Sequence, residues 1–178
     1  MQWVLRLIYM VSKLKNGSMV IFEFKKESDI SNWEIVNDVV MGGQSSSKFF
    51  LNEEGHGFFK GLVSLENNGG FSSLRLRFNQ RNIEGYGKIL IHLKGDGKRY
   101  QFRAKTNKDD QQAYIHYFET TGEWQIIEIQ LLNLTPTFRG RKLTIPNFPA
   151  EELEEVGFLI GNKANENFEL VIDKIILE

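Results

Sequence analysis

The feature that most constrains this chain is an alternation of apolar and polar residues with a period of two, which recurs from Val20 onward. The strand predicted at residues 88–94 shows it well, because Ile89, Ile91 and Leu93 share one face. Turns rich in glycine and asparagine separate such runs, and no long amphipathic helix pattern interrupts them. The sequence therefore predicts an all-β fold of about ten short strands, an antiparallel β-sandwich of the jelly-roll type.

Two connections in this pattern are predicted to join paired strands. Asp96-Gly97 stands between the run 88–94 and a second alternating run at residues 99–105. An Asp-Gly pair between two such runs is typical of a two-residue hairpin turn. The runs 113–118 and 124–131 are interpreted as the next strand pair, joined by a Thr-Thr-Gly turn.

The pattern changes towards the C-terminus. Residues 133–149 hold all three prolines and are predicted to be irregular. Residues 150–155 follow Pro149 and are predicted to form a helical turn, because proline and glutamate both suit the start of a helix. The run 168–177 is apolar on both faces and is predicted to be a central strand of a sheet.

Length and composition limit the class of protein. The 178 residues suffice for one domain with a full core, predicted to span residues 19–178, with residues 1–18 as an N-terminal extension. The apolar run of this extension, residues 3–11, is too short to span a bilayer. A formal net charge of -1 gives no field that would attract nucleic acid or an anionic membrane. The lack of cysteine suits a reducing compartment. We expect a cytoplasmic protein, or a mitochondrial matrix protein if the source is a eukaryote, without membrane insertion.

No catalytic constellation is evident in the sequence. The three histidines, His56, His92 and His116, belong to no HExxH, GxSxG or P-loop pattern. The carboxylate pairs Glu53-Glu54 and Asp109-Asp110 are adjacent residues, whose side chains point apart on an extended chain. We therefore expect a non-enzymatic protein with no cofactor and no metal site.

Binding chemistry is better represented, in the segment Phe138-Arg139-Gly140-Arg141. On an extended chain the guanidinium groups of Arg139 and Arg141 project to the same side, where they suit a carboxylate or a phosphate. The alternative is an exposed pair partnered by nearby glutamates. Trp124 opens a predicted strand, and it either belongs to the core or forms a platform for a sugar ring.

The stretch from Asn37 to Ser47 contains two adjacent glycines, a run of three serines and Asp38. Glycine allows another backbone to come close, and serine can bond to the main chain or to a ligand. Two interpretations stay open: a tight loop packed under a sheet, or the small-residue rim of a binding site.

Several segments carry a resemblance to a known family. They are Asn37-Asp38-Val39-Val40-Met41-Gly42-Gly43, Ser45-Ser46-Ser47 and residues 61–71 with Ser73 and Arg75, 94–100, 118–120 with Trp124, 136–141, 156–160 and 168–170. In order and spacing these segments resemble the complex I intermediate-associated protein 30 family, which includes mitochondrial assembly factors for NADH:ubiquinone oxidoreductase. Asn37 departs from the second aspartate that the family usually shows, and Gln44 from a frequent valine.

The resemblance implies a galactose-binding-like jelly roll and a non-enzymatic role in holding assembly intermediates of respiratory complex I. Our first hypothesis is accordingly a module that binds protein partners. The residues predicted to lie near its interaction surface are Arg139, Arg141, Arg75, Asp38 and Asp96.

A second hypothesis is a carbohydrate-binding domain. Fold analogy motivates it, and it requires an exposed aromatic platform, such as Trp124, beside polar groups. A flavin- or nicotinamide-dependent reductase is disfavoured, because no GxGxxG motif opens a strand-to-helix turn.

Overall fold

The structure, a computed structural model, describes residues 17–178. The strands in this part of the chain are β1 Met19–Glu23, β2 Trp33–Asn37, β3 Ser46–Leu51, β4 Gly57–Val63, β5 Ser72–Asn82, β6 Lys88–Lys94, β7 Arg99–Lys105, β8 Ala113–Glu119, β9 Trp124–Gln130, β10 Thr135–Phe138, β11 Arg141–Lys142, β12 Glu152–Ile160 and β13 Glu166–Leu177. Short 3-10 turns lie at Asp38–Met41, Glu66–Asn68 and Leu131–Asn133. Of the predicted N-terminal extension, residues 1–16 lie outside the described residues. From residue 17 to the C-terminus, no helix has the length and apolar character needed to cross a membrane.

The strands form two antiparallel sheets, which confirms the predicted β-sandwich. One sheet has the order β3-β4-β13-β6-β9, with β1 also paired to β13. The other has the order β11-β10-β8-β7-β12-β5-β2. Because β13 lies between β4 and β6, the prediction of a central C-terminal strand is confirmed.

The inward faces of the two sheets meet in one apolar core. In β6 the side chains of Ile89, Ile91 and Leu93 are at most 1% exposed, as the alternation predicts. From the opposite sheet, the rings of Phe102 and Phe158 are fully buried and meet edge to face. Each large apolar side chain buried in this way contributes about 1.5–3 kcal/mol to folding, so the core dominates the stability of both sheets.

The connection at Asp96-Gly97 crosses from one sheet to the other, so the predicted hairpin is wrong. Strand β6 pairs with β9 and β13, whereas β7 pairs with β8 and β12. The predicted pairing of β8 with β9 is wrong for the same reason. The two crossings support each other, because the Gly97 N–H donates to Thr120 Oγ1 over 3.0 Å and that hydroxyl donates to the Lys98 carbonyl over 2.8 Å.

Two other predictions fail near the C-terminus. The helical turn predicted at residues 150–155 is absent there, and β12 begins at Glu152 and pairs with β5 and β7. Pairing with a strand on each side outweighs the local preference for a helix that a proline followed by glutamates gives. Within residues 133–149, predicted to be irregular, β10 and β11 form a hairpin instead. Its turn residues Arg139 and Gly140 have φ of 46° and 75°, as a type I′ turn requires.

Candidate functional site

The outer face of the seven-stranded sheet carries a cluster of charged side chains, termed here the basic face. It consists of Arg75 and Arg77 in β5, Arg103 and Lys105 in β7, Glu34 in β2 and Glu155 in β12. The alternation that buries Leu74, Leu76, Phe102 and Ala104 in the core places their neighbours on the opposite side of the sheet. The strand order β7-β12-β5-β2 then brings the charged residues side by side.

The two arginines of β5 are paired with the two carboxylates of the basic face. Arg75 Nη2 lies 2.9 Å from Glu34 Oε2, and Arg75 Nε donates to the same oxygen over 3.0 Å. Arg77 Nε donates to Glu155 Oε2 over 2.8 Å, and Glu155 is only 8% exposed. The hydrogen bond to Glu155 raises the pKa of Arg77. Both carboxylates therefore make their ion pairs with arginines of β5.

The two β7 cations of the basic face, Arg103 and Lys105, make no ion pair with any residue that the structure describes. Arg103 Nη1 donates to Gln101 Oε1 over 3.0 Å, and Lys105 Nζ donates to the carbonyl of Asp110 over 2.6 Å. Both side chains are half-buried, and this burial lowers the pKa of Arg103 and of Lys105. The Glu155 charge opposes this effect for both groups, and Glu155 is the cross-strand neighbour of Lys105. Neither cation has a carboxylate within ion-pair distance in the described part of the chain, so an anionic ligand would be stabilised here.

Gly157 lies in the middle of the basic face and is buried. It pairs with Arg75 on one side and with Arg103 on the other. The Cα atoms of these arginines are therefore two strand spacings apart, about 10 Å. A Cβ at Gly157 would lie 2.6 Å from the carbonyl oxygen of Leu74, so no side chain fits unless β5 moves. Close packing of the strands thus keeps the space between the two guanidinium groups free of a third side chain.

Tyr117 in β8 forms one margin of the basic face and is 48% exposed. The Arg99 guanidinium lies 4.7 Å from the centroid of its ring, and its hydroxyl accepts a hydrogen bond from Gln101 Nε2 over 3.0 Å. Gln101 thereby links Tyr117 to Arg103. Sequence reasoning singled out only one residue of the basic face, although the polar alternation of Arg99, Gln101, Arg103 and Lys105 along one strand was a usable signal.

The Asp38 side chain is fully buried, so it does not lie on the interaction surface where the sequence led us to expect it. Its Oδ2 accepts hydrogen bonds from the backbone N–H groups of Gly70 over 2.6 Å and Phe71 over 3.2 Å. Ser45 donates its N–H to Oδ1 over 3.0 Å and its hydroxyl to Oδ2 over 2.5 Å. Burial raises the pKa of Asp38, but these hydrogen bonds lower it more, so the net pKa lies below its usual range.

The stretch around Asp38 is thus a tight loop packed against the sheets, the first of the two interpretations left open by the sequence. A Cβ at Gly43 or Gly69 would overlap the Asp38 carboxylate, which explains why glycine occupies both positions. Beside it, Asn37 Oδ1 accepts hydrogen bonds from the hydroxyls of Ser47 over 2.9 Å and Ser72 over 2.6 Å. An aspartate at position 37 could accept the same two bonds, so the departure from the family pattern preserves the network.

Asp96 also bonds within the protein. It accepts hydrogen bonds from the Tyr100 hydroxyl over 3.0 Å, from Lys98 Nζ over 2.8 Å and from the Glu169 N–H over 3.0 Å. Burial, together with the Asp96 charge, raises the pKa of Tyr100 far above its usual range. Asp96 therefore ties the β6–β7 crossing to β13.

Trp124 lies on the outer face of the six-stranded sheet and is 37% exposed, whereas Trp33 is 7% exposed and belongs to the core. The Trp124 ring centroid lies 4.8 Å from those of His56 and His92. His92 Nδ1 lies 2.7 Å from Asp173 Oδ2. Trp124 is therefore not part of the core, and its partly exposed ring lies beside polar groups.

A cleft of 390 Å³ opens on the same sheet. Strands β3, β4 and β13 line it, and its charged side chains are Lys48, Lys60 and Glu169. Strand β6 separates it from Trp124 in β9. Within residues 17–178, no group of three or more His, Asp or Glu side chains is arranged to hold a metal ion.

Arg139 and Arg141 are exposed on the β10–β11 hairpin, and the Arg139 guanidinium lies 5.3 Å from the Phe138 ring centroid. Strand β11 is at the edge of the seven-stranded sheet, five strand spacings from β5. About 24 Å therefore separates Arg141 from Arg75. The residues predicted to share one interaction surface thus fall in separate places.

The fold defines a galactose-binding-like β-sandwich of the kind found in carbohydrate-binding modules. One similar structure is the family 11 carbohydrate-binding module of the cellulosomal cellulase Lic26A-Cel5E of Clostridium thermocellum, with a TM-score of 0.65, 15% identity and coverage of 90% of this chain and 94% of that chain. Another is the agarase AgWH50C, with a TM-score of 0.64, 12% identity and coverage of 92% of this chain and 25% of that chain. At these identities the likeness establishes the fold alone.

The chain belongs to the Complex I intermediate-associated protein 30 (CIA30) family, whose model matches residues 22–172. This match confirms the resemblance drawn from the sequence segments. The matched range, residues 22–172, includes the buried Asp38 and every residue of the basic face.

Proposed function

We propose that this protein is a non-enzymatic module that binds a protein partner during the assembly of respiratory complex I. The observation that carries the proposal is the family match over residues 22–172, since the family is described by its association with intermediates of complex I. The basic face is the surface through which the module holds its partner.

The composition of the basic face supports this assignment. Its arginines and the exposed Tyr117 are residue types enriched at protein interfaces, where they carry much of the binding energy. They stand on paired strands rather than on loops, so their positions are fixed before a partner arrives. A surface of this kind binds without a large ordering cost.

Affinity capture tests the proposal. The full chain, tagged at one end, is used to capture proteins from its native cells, and complex I subunits are quantified against an unrelated β-sandwich of similar charge. Enrichment of complex I subunits supports the proposal. A capture in which no such subunit exceeds the background contradicts it.

A carbohydrate-binding role is the second candidate. The exposed Trp124 ring beside His56, His92 and Asp173 favours it, because sugar rings stack on exposed aromatic side chains flanked by polar groups. One structural relative was solved in complex with a mixed-linked β-1,3-1,4 tetrasaccharide. Calorimetric titration with that tetrasaccharide should show binding that Trp124→Ala abolishes, if this candidate is right. Equal heats for the parent chain and the variant would exclude Trp124 as the platform.

A further inference from the structure

We propose that the basic face binds an extended acidic segment of a protein partner, with alternate carboxylates of that segment meeting Arg103 and Lys105. The inference rests on the proposed function, because it names the chemistry of the partner that the module holds. It concerns residues of β7, none of which the sequence singled out as binding residues.

Arg103 has hydrogen-bond donors that the described part of the chain does not use. A guanidinium carries five N–H donors in a planar fork. Arg103 uses one of its nitrogens, Nη1, in a hydrogen bond to Gln101, and no carboxylate in the described part of the chain pairs with it. The remaining donors suit an acceptor with two oxygens in one plane, which is the geometry of a carboxylate.

The basic face carries more cations than carboxylates. Four cations, Arg75, Arg77, Arg103 and Lys105, stand with two carboxylates, and both carboxylates are bonded to the arginines of β5. The Lys105 ammonium group donates hydrogen bonds to the backbone carbonyls of Asp110 and Lys108. The basic face therefore has two more cations than carboxylates, although the Glu155 charge also attracts Arg103 and Lys105. This excess favours an anionic partner.

The spacing of Arg103 and Lys105 along β7 matches that of an extended partner segment. Arg103 and Lys105 are two residues apart on one strand, so both project from the same face with Cα atoms about 7 Å apart. Alternate residues of an extended partner segment have the same separation. Gly157 projects no side chain between Arg103 and Arg75, so both arginines border the path of the segment. An acidic segment laid along β7 would thus match the two cations residue by residue.

The test is fluorescence anisotropy with the full chain and a fluorescein-labelled peptide of alternating glutamate and glycine. We expect saturable binding of this peptide and none of the matched glutamine–glycine peptide. Arg103→Gln should weaken binding at least about tenfold, because charge-assisted hydrogen bonds are lost. Lys105→Gln should weaken it too, and it provides a second variant should Arg103→Gln fail to fold.

The control variant is Arg139→Gln, which removes an equal charge from the β10–β11 hairpin. It should change the affinity by no more than about twofold. The hairpin lies two to three strand spacings from β7, about 10–14 Å, which exceeds the screening length of about 8 Å in physiological salt. Equal affinity of the parent chain, Arg103→Gln and Lys105→Gln would overturn the inference. So would equal binding of the two peptides, or binding of polygalacturonate but not of the glutamate peptide.

The same proteins separate this inference from the proposed function. If the parent chain captures complex I subunits but does not bind the glutamate peptide, the inference fails and the proposed function stands. If it binds the peptide through Arg103 but captures no complex I subunit, the inference stands and the proposed function fails.

Discussion

The carboxylate of Asp38 accepts a 2.6 Å hydrogen bond from the backbone N–H of Gly70, which lies 32 residues further along the chain. This contact fixes the loop after β2 to the start of β5, and the two segments that it joins carry much of the family resemblance. The segment around Asp38, the most recognisable motif of the chain, therefore has a structural role: it holds the loop after β2 against the start of β5. The surface that we assign to binding lies on the outer face of the seven-stranded sheet.

Removing the negative charge of Asp38 should destabilise the fold. In Asp38→Asn the amide group would direct N–H donors at the backbone N–H groups of Gly70 and Phe71, which leaves buried donors unsatisfied. We expect a loss of about 3 kcal/mol in the free energy of unfolding, measured by urea denaturation. Asp29→Asn is the matched control, because Asp29 is exposed, and it should change stability by less than about 1 kcal/mol. Equal losses in both variants would show that Asp38 is not a buried anchor.

The contribution of Asp38 should depend on pH. The pKa of Asp38 in the folded protein is lowered relative to that of an aspartate in an unfolded chain, which is about 3.9. The stabilisation is therefore fully present above about pH 5 and is lost as the pH falls through the folded pKa. Urea unfolding of the parent chain and Asp38→Asn at a series of pH values should show a stability difference that narrows in acid. A difference that grows on acidification would contradict the sign of the shift.

The Tyr100 hydroxyl should contribute to stability through Asp96. It is buried and donates to Asp96 Oδ1 over 3.0 Å, at the crossing between the two sheets. Tyr100→Phe removes this donor and should lower the free energy of unfolding by about 1–2 kcal/mol in urea denaturation. Tyr117→Phe removes a hydroxyl from an exposed ring and should be nearly neutral. Equal changes in the free energy of unfolding for Tyr100→Phe and Tyr117→Phe would contradict this role of the hydrogen bond to Asp96.

The turn residue Arg139 should be replaceable with a gain in stability. Its φ of 46° is in the left-handed region, which asparagine tolerates better than arginine, and Asn-Gly is a favoured type I′ pair. Arg139→Asn should raise the free energy of unfolding by about 0.5 kcal/mol, seen as a higher thermal midpoint. Arg141→Asn removes the same charge from the β11 strand and should give no gain. A lower midpoint for Arg139→Asn would contradict this turn geometry.

The sequence predicted which side of a strand faces the core but not which sheet the strand joins. The alternation of Ile89, Ile91 and Leu93 holds in the structure, because inward residues of either sheet meet the same apolar core. For that reason the pattern on both sides of Asp96-Gly97 is equally consistent with a hairpin and with a sheet crossing. Long-range pairing decides between them, and it leaves no local trace in the residues of the turn.

The site was less predictable than the fold. Arg75 was singled out from the resemblance, but Arg103 and Gly157 come from strands far apart in sequence and meet only through the sheet order. Asp38 was identified as important and given the wrong place. A carboxylate in a loop of glycines and serines has the same sequence signature whether its oxygens meet a ligand or the N–H groups of the chain itself.

The central claim is that the basic face holds a protein partner. The most direct measurement is quantitative affinity capture of complex I subunits by three equally folded proteins: the parent chain, Arg75→Gln/Arg103→Gln and Arg139→Ala/Arg141→Ala. The account predicts that the first double variant loses at least about nine-tenths of the captured subunits, as expected for losing charge-assisted contacts. The second double variant should capture as much as the parent chain. Unchanged capture by Arg75→Gln/Arg103→Gln, with loss in Arg139→Ala/Arg141→Ala, would contradict the account and move the interaction surface to the β10–β11 hairpin.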